Sequence, residues 1–228
     1  MSRGLGSPRV RILALASLAL SIVLGVVWAF RNLPIRFERT IRGFEAYDRA
    51  HGWPEDAVLF VGSSSIRKWP IDASFPNYAT IHRGFGGCFL SDVDHFADRI
   101  VFPYAPRVIV LYAGENDMDD RRSAEQVFET YRRFAERTQA RLPRTQLLYL
   151  PIKPTPERWA LWPEMKRANA RIAAYIEHHP QQHYVDTATP MLGEDGRPRP
   201  ELYADDGVHL SPAGYALWTR IVEPYLEP

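Results

Sequence analysis

The sequence predicts an α/β protein, a three-layer α/β/α sandwich around a central parallel sheet of about five strands. Two features of the chain predict it. Short, unbroken apolar runs are typical of strands buried on both faces, as in parallel sheets. Segments with apolar residues at helical spacing alternate with these runs, and helices of this kind connect one parallel strand to the next. The 228 residues, 46% of them hydrophobic, suffice for one such core.

Local signals predict the individual elements. The apolar runs predict strands over 57–62, 77–82, 107–112, 146–151 and 182–185. Apolar spacing predicts helices over 36–50, 90–101, 124–142, 162–178 and 212–225. The last helix has the clearest start, because Ser211 is a good N-cap and Pro212 suits the first helical position.

Polar loops follow the first three predicted strands. The first strand ends at Gly62 and three serines, 63–65. The second leads into a glycine-rich loop, 84–87, and the third into a loop that contains Asn116. The carboxyl ends of parallel strands meet at one edge of a sheet, where ligands bind. A serine hydroxyl, glycine N–H groups and an asparagine amide are therefore expected together, and this set can attack a carbonyl and hold the resulting oxyanion.

An aspartate and a histidine near the C-terminus complete this chemistry. Asp206 precedes His209 by three residues, so both can lie on the same side of one turn. A carboxylate in that position fixes the imidazole tautomer and stabilises the imidazolium that forms when histidine acts as a base. The spacing alone also suits a turn-capping aspartate beside an ordinary surface histidine. The serine predicted at the sheet edge favours the catalytic interpretation.

Four sequence blocks now appear in a familiar order: Gly62-Ser63-Ser64, Gly84-Phe85-Gly86-Gly87, Gly114-Glu115-Asn116-Asp117 and Asp206-Gly207-Val208-His209. In this order they resemble the blocks of the SGNH hydrolase family, also called the GDSL esterase/lipase family. The resemblance covers about residues 56–226. It implies a flavodoxin-like order of strands and a carboxylic ester hydrolase.

The resemblance also implies roles for individual residues. Ser64 would be the nucleophile, and Asp206 and His209 would complete the catalytic triad. The oxyanion hole would consist of the Ser64 N–H, the Gly87 N–H and the side-chain amide of Asn116.

The neighbourhood of the nucleophile departs from the family pattern. Ser63 stands where an aspartate is frequent, and Ser65 stands where leucine is frequent. Cys88 follows the oxyanion glycine and is expected to be a small space-filling residue. No role follows for Lys153 and Arg158, which belong to a proline-rich segment expected either to form a pocket wall or to be a purely structural loop.

The expected function is that of a membrane-tethered serine esterase working through an acyl-serine intermediate, with a lipid ester or an acetylated glycan as substrate. Acyl transfer to a sugar or lipid hydroxyl is an alternative with the same chemistry. A non-catalytic binding module on the same fold is an alternative of another class, which the presence of Ser64, Asn116 and His209 disfavours. An α/β-hydrolase is excluded, because the second glycine of its Gly-x-Ser-x-Gly elbow is missing after Ser64.

Charge and cysteine content limit the partners. The formal net charge is +1, and the three arginines within the first thirty residues contribute +3, so the remainder has a slight acidic excess. Nucleic-acid binding is therefore not expected. The single cysteine excludes an intrachain disulfide, and the histidines lack metal-ligand spacing. The sequence predicts neither a metal nor a cofactor.

The N-terminus is predicted as a separate element. Residues 12–30 form a run of nineteen residues without a charge, preceded by arginines at 3, 9 and 11. As a helix this run would span roughly 28 Å, about the hydrocarbon core of a membrane. We expect an uncleaved signal anchor, since the apolar region of a signal peptide is usually ~7–15 residues long. Secretion after cleavage is the alternative.

The predicted organisation is therefore a basic flank over 1–11, a transmembrane segment over 12–30, a linker with a short helix over 31–54 and the SGNH hydrolase domain over 55–228. The domain is expected on the exocytoplasmic (periplasmic) side. Arginines after residue 30 weaken the orientation argument. The sequence leaves the oligomeric state open.

Overall fold

The computed structural model describes residues 34–227. The chain divides into two compact units, 1–39 and 40–228. Within the first unit, the described residues form a 3-10 helix, Pro34–Phe37, and the start of helix α1, Glu38–His51. No helix in the described part of the chain is long and apolar enough to span a membrane. The basic flank and the membrane segment predicted over 12–30 lie outside the described residues.

The second unit is built on a five-stranded sheet in which every pairing is parallel. Its strands are β1 Val58–Gly62, β2 Thr80–Gly84, β3 Val108–Tyr112, β4 Gln146–Tyr149 and β5 Gln182–Tyr184. Their order across the sheet is β2-β1-β3-β4-β5, the flavodoxin-like arrangement. The predicted parallel sheet of about five strands is confirmed.

Helices cover both faces of this sheet, which gives the predicted three layers. Those of the described chain are, after α1, α2 Ser64–Lys68, α3 Ile71–Ser74, α4 Leu90–Ile100, α5 Glu115–Asp119, α6 Ala124–Arg141, α7 Trp162–Ile176 and α8 Pro212–Val222. On one face, α2 and α8 pack on alternate strand residues, with Trp69 and Trp218 beside Phe60 and Tyr112. On the other face, α6 packs against α4 and α7.

Two elements differ from their predicted bounds for local reasons. The second strand was predicted over 77–82 but runs over Thr80–Gly84. The Tyr78 N–H closes a turn onto the carbonyl of Phe75, and the ring of Tyr78 packs on the same residue, so its apolar character serves that turn. The last helix ends at Val222 and continues as a 3-10 helix, Glu223–Tyr225, where Pro224 cannot supply the N–H of a continuing α-helix.

The predicted linker over 31–54 contains α1, which is tied to the sheet domain. Glu45 accepts hydrogen bonds from Arg99 of α4, the shorter of 2.6 Å. Asp48 is buried and pairs with Arg83 of β2, and it also accepts a hydrogen bond of 2.7 Å from the Tyr104 hydroxyl. From Thr40 onward, this segment belongs to the same compact unit as the sheet.

Candidate active site

The turn after β1 presents one of three serines. Gly62 has φ +143°, and a methyl group on it would lie 1.9 Å from the carbonyl oxygen of Tyr112, so no other residue fits. The N–H of Ser63 donates to that same oxygen at 3.0 Å, and α2 begins at the next residue. Ser63 and Ser65 are buried, whereas Ser64 is partly exposed.

A tight turn holds Asp206 and His209 together. The Asp206 Oδ1 atom accepts hydrogen bonds from the N–H groups of Val208 at 3.0 Å and of His209 at 2.8 Å. Its Oδ2 atom lies 2.5 Å from His209 Nδ1. The His209 ring and these N–H groups lower the pKa of Asp206 well below its usual range, so the carboxylate stays charged at neutral pH. Gly207 adopts φ +62° within this turn.

The turn brings His209 to the serine. His209 Nε2 lies 3.0 Å from Ser64 Oγ, although 145 residues separate them. With Nδ1 donating to Asp206, Nε2 is the acceptor for the serine proton. The following residues fix this geometry, since Ser211 caps α8 by accepting from the Gly214 N–H at 3.2 Å. Further along α8, the Tyr215 hydroxyl donates to the carbonyl of Ser65 at 3.0 Å.

The loops after β2 and β3 meet at the same edge of the sheet. Gly87 is exposed and has φ +81°. The Asn116 side chain is half-buried, and its Nδ2 donates one N–H to the carbonyl of the buried Cys88 at 3.0 Å. Within the described residues, Cys88 is the only hydrogen-bond acceptor of this amide, which leaves its second N–H for a ligand. The register of the sheet places the ends of β1, β2 and β3 side by side, with Gly62 opposite both Gly84 and Tyr112.

Asp117 joins these two loops a second time. Its buried carboxylate accepts from the Leu90 N–H, at the start of α4, at 3.0 Å. It also pairs with Arg122 at 3.1 Å. Burial raises the pKa of Asp117 to about 6, against the opposing effects of Arg122 and the Leu90 N–H.

A buried charged network lies directly behind the turn that carries Ser64, and sequence reasoning assigned no role to its members. Lys153 is fully buried and pairs with the carboxylate of Glu115. Its Nζ also donates to Tyr112 Oη at 3.1 Å and to Ser65 Oγ at 3.3 Å. Burial lowers the pKa of Lys153, and the attraction of Glu115 opposes that effect.

Arg158 extends this network to the surface. Its guanidinium lies 3.0 Å from Glu115, 3.0 Å from Asp119 and 3.4 Å from Asn116 Oδ1. The one available sequence signal was position, because Lys153 and Arg158 follow β4 at the same sheet edge as the serine. Among the described residues, no group of three or more His, Cys, Asp or Glu side chains could hold a metal ion.

Comparison with known proteins places this arrangement in a family. The family model of GDSL-like lipases/acylhydrolases matches residues 43–217. Comparison with curated proteins gives no match. Among solved structures, a GDSL-like lipase from Bacteroides thetaiotaomicron is 22% identical with a TM-score of 0.72, over 82% of this chain and 96% of its own.

Two further structures share the fold. A Streptococcus pneumoniae protein provisionally named a platelet activating factor is 21% identical with a TM-score of 0.76, over 92% of this chain and 99% of its own. An acetylxylan esterase from Geobacillus stearothermophilus, in a variant called a catalytic mutant, is 15% identical with a TM-score of 0.61, over 76% and 95%. Because the family model covers most of the chain, the protein belongs to the GDSL-like lipase/acylhydrolase family and is an SGNH-type ester hydrolase.

Proposed function

We propose that this protein cleaves carboxylic esters through an acyl intermediate on Ser64. The observation that carries the proposal is the hydrogen-bonded chain from Ser64 Oγ to His209 Nε2, 3.0 Å apart, and from His209 Nδ1 to Asp206. A serine activated in this way becomes a nucleophile because the base accepts its proton as the new bond forms.

In the acylation step, Ser64 Oγ attacks the ester carbonyl while its proton moves to His209 Nε2. Asp206 stabilises the imidazolium. The Ser64 N–H, the Gly87 N–H and the Asn116 amide donate to the developing oxyanion. His209 then protonates the leaving alkoxide as the carbon–oxygen bond breaks, and the alcohol departs.

The second step hydrolyses the acyl-serine. His209 accepts a proton from water, and the hydroxyl oxygen attacks the acyl carbon. The same donors hold the second oxyanion, and the bond to Ser64 Oγ breaks as His209 returns its proton to that oxygen. The products are the carboxylic acid and the regenerated serine, so no cofactor is required.

For the substrate we propose an ester that is part of a larger lipid or glycan. The His209 and Asp206 side chains are 23% and 47% exposed, so the triad lies close to the surface, where an ester group carried on a larger molecule can reach it. The names of the Bacteroides lipase and the Geobacillus acetylxylan esterase mark the two substrate classes to compare.

We further propose that residues 12–30 anchor the enzyme in a membrane with its catalytic domain on the exocytoplasmic side. The support is the length of this uncharged run and the arginines before it. After an alkaline carbonate wash, the intact chain should remain in the membrane pellet. A soluble product that begins after residue 21 would favour secretion instead.

A labelling experiment tests the chemistry. A fluorophosphonate probe followed by peptide mapping should place the adduct on Ser64, and Ser64→Ala should abolish labelling and reduce kcat by roughly 10⁴-fold or more. An adduct on Ser63 or Ser65 would contradict the assignment. A panel of p-nitrophenyl esters of increasing chain length, lysophospholipid and acetylated glycans then identifies the substrate class. Release of free acid, rather than an acylated acceptor, distinguishes hydrolysis from acyl transfer.

A further inference from the structure

The side-chain amide of Asn116 can stabilise an oxyanion in only one of its two orientations. A carboxamide rotated by half a turn exchanges its carbonyl oxygen and its amino group, and only the amino group donates hydrogen bonds. Asn116 Nδ2 donates one N–H to the Cys88 carbonyl at 3.0 Å, and Asn116 Oδ1 lies 3.4 Å from Arg158 Nη1. In the rotated amide, oxygen would face oxygen at Cys88, and donor would face donor at Arg158.

Arg158 is itself fixed by two carboxylates of the same short helix, α5. Its Nη1 donates to Glu115 Oε1 at 3.0 Å and its Nη2 to Asp119 Oδ2 at 3.0 Å. The planar guanidinium has five donors in a rigid fork, so two anchored nitrogens define its position. The amide of Asn116 lies on the same helix, between the two carboxylates in sequence.

Glu115 in turn has a buried anchor. It accepts a hydrogen bond of 2.7 Å from the Tyr112 hydroxyl and pairs with the fully buried Lys153. Of the two carboxylates that hold Arg158, Asp119 is the exposed one. Arg158 therefore connects the buried network behind the Ser64 turn to the amide of Asn116.

We propose that Arg158 is a positioning residue that orients the Asn116 amide toward the oxyanion and polarises it. A cation beside the carbonyl oxygen draws electron density from the amide, which makes its free N–H a stronger donor. Arg158 acts through Asn116 and does not itself touch the reacting atoms. This inference rests on the oxyanion role of Asn116 within the proposed function.

A double-mutant cycle on kcat tests the inference with p-nitrophenyl butyrate or whichever ester the panel selects. Asn116→Ala should lower kcat by ~10²–10³-fold with little change in KM. Arg158→Met should lower kcat by roughly tenfold in the wild-type background, again with little change in KM, because a misaligned donor is lost mainly in the transition state. In the Asn116→Ala background, Arg158→Met should change kcat by less than about twofold.

Two further variants keep the result interpretable. Asp119→Asn removes only the exposed anchor and should lower kcat by about twofold to fivefold with the fold intact. Arg132→Met is the matched control, because Arg132 also bridges two carboxylates of one helix, Glu129 and Glu136 on α6. Its kcat should equal that of the wild type.

The outcomes separate the two proposals. Equal losses from Arg158→Met in both backgrounds, or a loss confined to KM, would overturn the positioning role. An unchanged kcat in Asn116→Ala would instead remove Asn116 from the oxyanion hole, and no activity in the wild type on any ester would overturn the proposed function itself. If Arg158→Met fails to fold, the same cycle with Asp119→Asn decides.

Discussion

The Asp206–His209 pair and the Lys153–Glu115 pair both lie beside the serines after β1, but one is open to solvent and the other is buried. The first joins residues three positions apart in one turn. The second joins Lys153, in the loop after β4, to Glu115, at the start of α5 and 38 positions away. The Lys153 side chain is 0% exposed and that of Glu115 is 5% exposed. One carboxylate is thus held near solvent and the other in the interior.

The two pairs differ in the expected cost of removing one partner. In the exposed pair, water replaces a missing partner, so a substitution there should affect catalysis far more than folding. In the buried pair, a missing partner leaves a charge without solvent, which costs several kcal/mol. One pair is therefore expected to serve the chemistry directly and the other to hold the loops that carry it.

The largest expected effect is on the exposed pair. Asp206→Asn should lower kcat by about 10³–10⁴-fold, because an amide can hold the wrong imidazole tautomer. Its melting temperature should stay within a few degrees of the wild type, since Asn Oδ1 can still accept from the Val208 and His209 N–H groups. Asp205→Asn, at the exposed neighbouring residue, is the control. If Asp205→Asn lost activity and Asp206→Asn did not, Asp205 would be the orienting acid.

The second-largest effect is expected in the buried pair, and it concerns stability rather than catalysis. Lys153→Met should lower the free energy of unfolding by about 3–5 kcal/mol, because Glu115 remains buried with one cation fewer. Adding Glu115→Gln should recover part of that loss, as expected for a coupled pair. Arg132→Met, which breaks half-exposed ion pairs on α6, should cost less than ~1 kcal/mol in the same urea titration. A loss from Lys153→Met as small as that would contradict the structural role of the buried pair.

The fold was predictable because its signals are local. Strands such as β1 and β3 are buried along their whole length, and the sequence shows this as unbroken apolar runs. The start of α8 was predicted from Ser211 and Pro212, and the structure confirms both as cap and first residue. The second strand was predicted too early in the chain because aromatic residues are frequent in strands. Tyr78 instead packs on Phe75 in the turn before β2.

The candidate site was predictable where its residues lie in short sequence blocks. Asp206 and His209 form one turn, so their spacing allowed the contact, and the serine predicted at the sheet edge favoured it. Glu115 is 38 positions from Lys153 and 43 from Arg158. No periodicity indicates that a lysine in a proline-rich segment is fully buried. Their contacts depend on which loops meet at the sheet edge, which only the three-dimensional fold specifies.

The smallest expected effect concerns a third carboxylate, Asp117, which is buried beside Arg122, a side chain that is 23% exposed. Burial raises its pKa to about 6, so between about pH 4 and pH 6 the folded state holds a proton that the unfolded state has released. This contribution to stability is therefore present at low pH and is lost as the pH rises through 6. The neutral Asp117→Asn lacks this dependence but can still accept from the Leu90 N–H.

From pH 4 to pH 7, the unfolding free energy of Asp117→Asn should therefore rise relative to that of the wild type by roughly 1–3 kcal/mol. Urea titrations at four pH values measure the difference. Asp120→Asn is the control, because Asp120 lies 3.8 Å from the same Arg122 but is 32% exposed. A shift of opposite sign for Asp117→Asn would mean that Arg122 and the Leu90 N–H outweigh burial. Asp117 would then resemble the exposed Asp206, whose pKa is held low by its hydrogen bonds. Burial alone would then not determine how a carboxylate in this protein titrates.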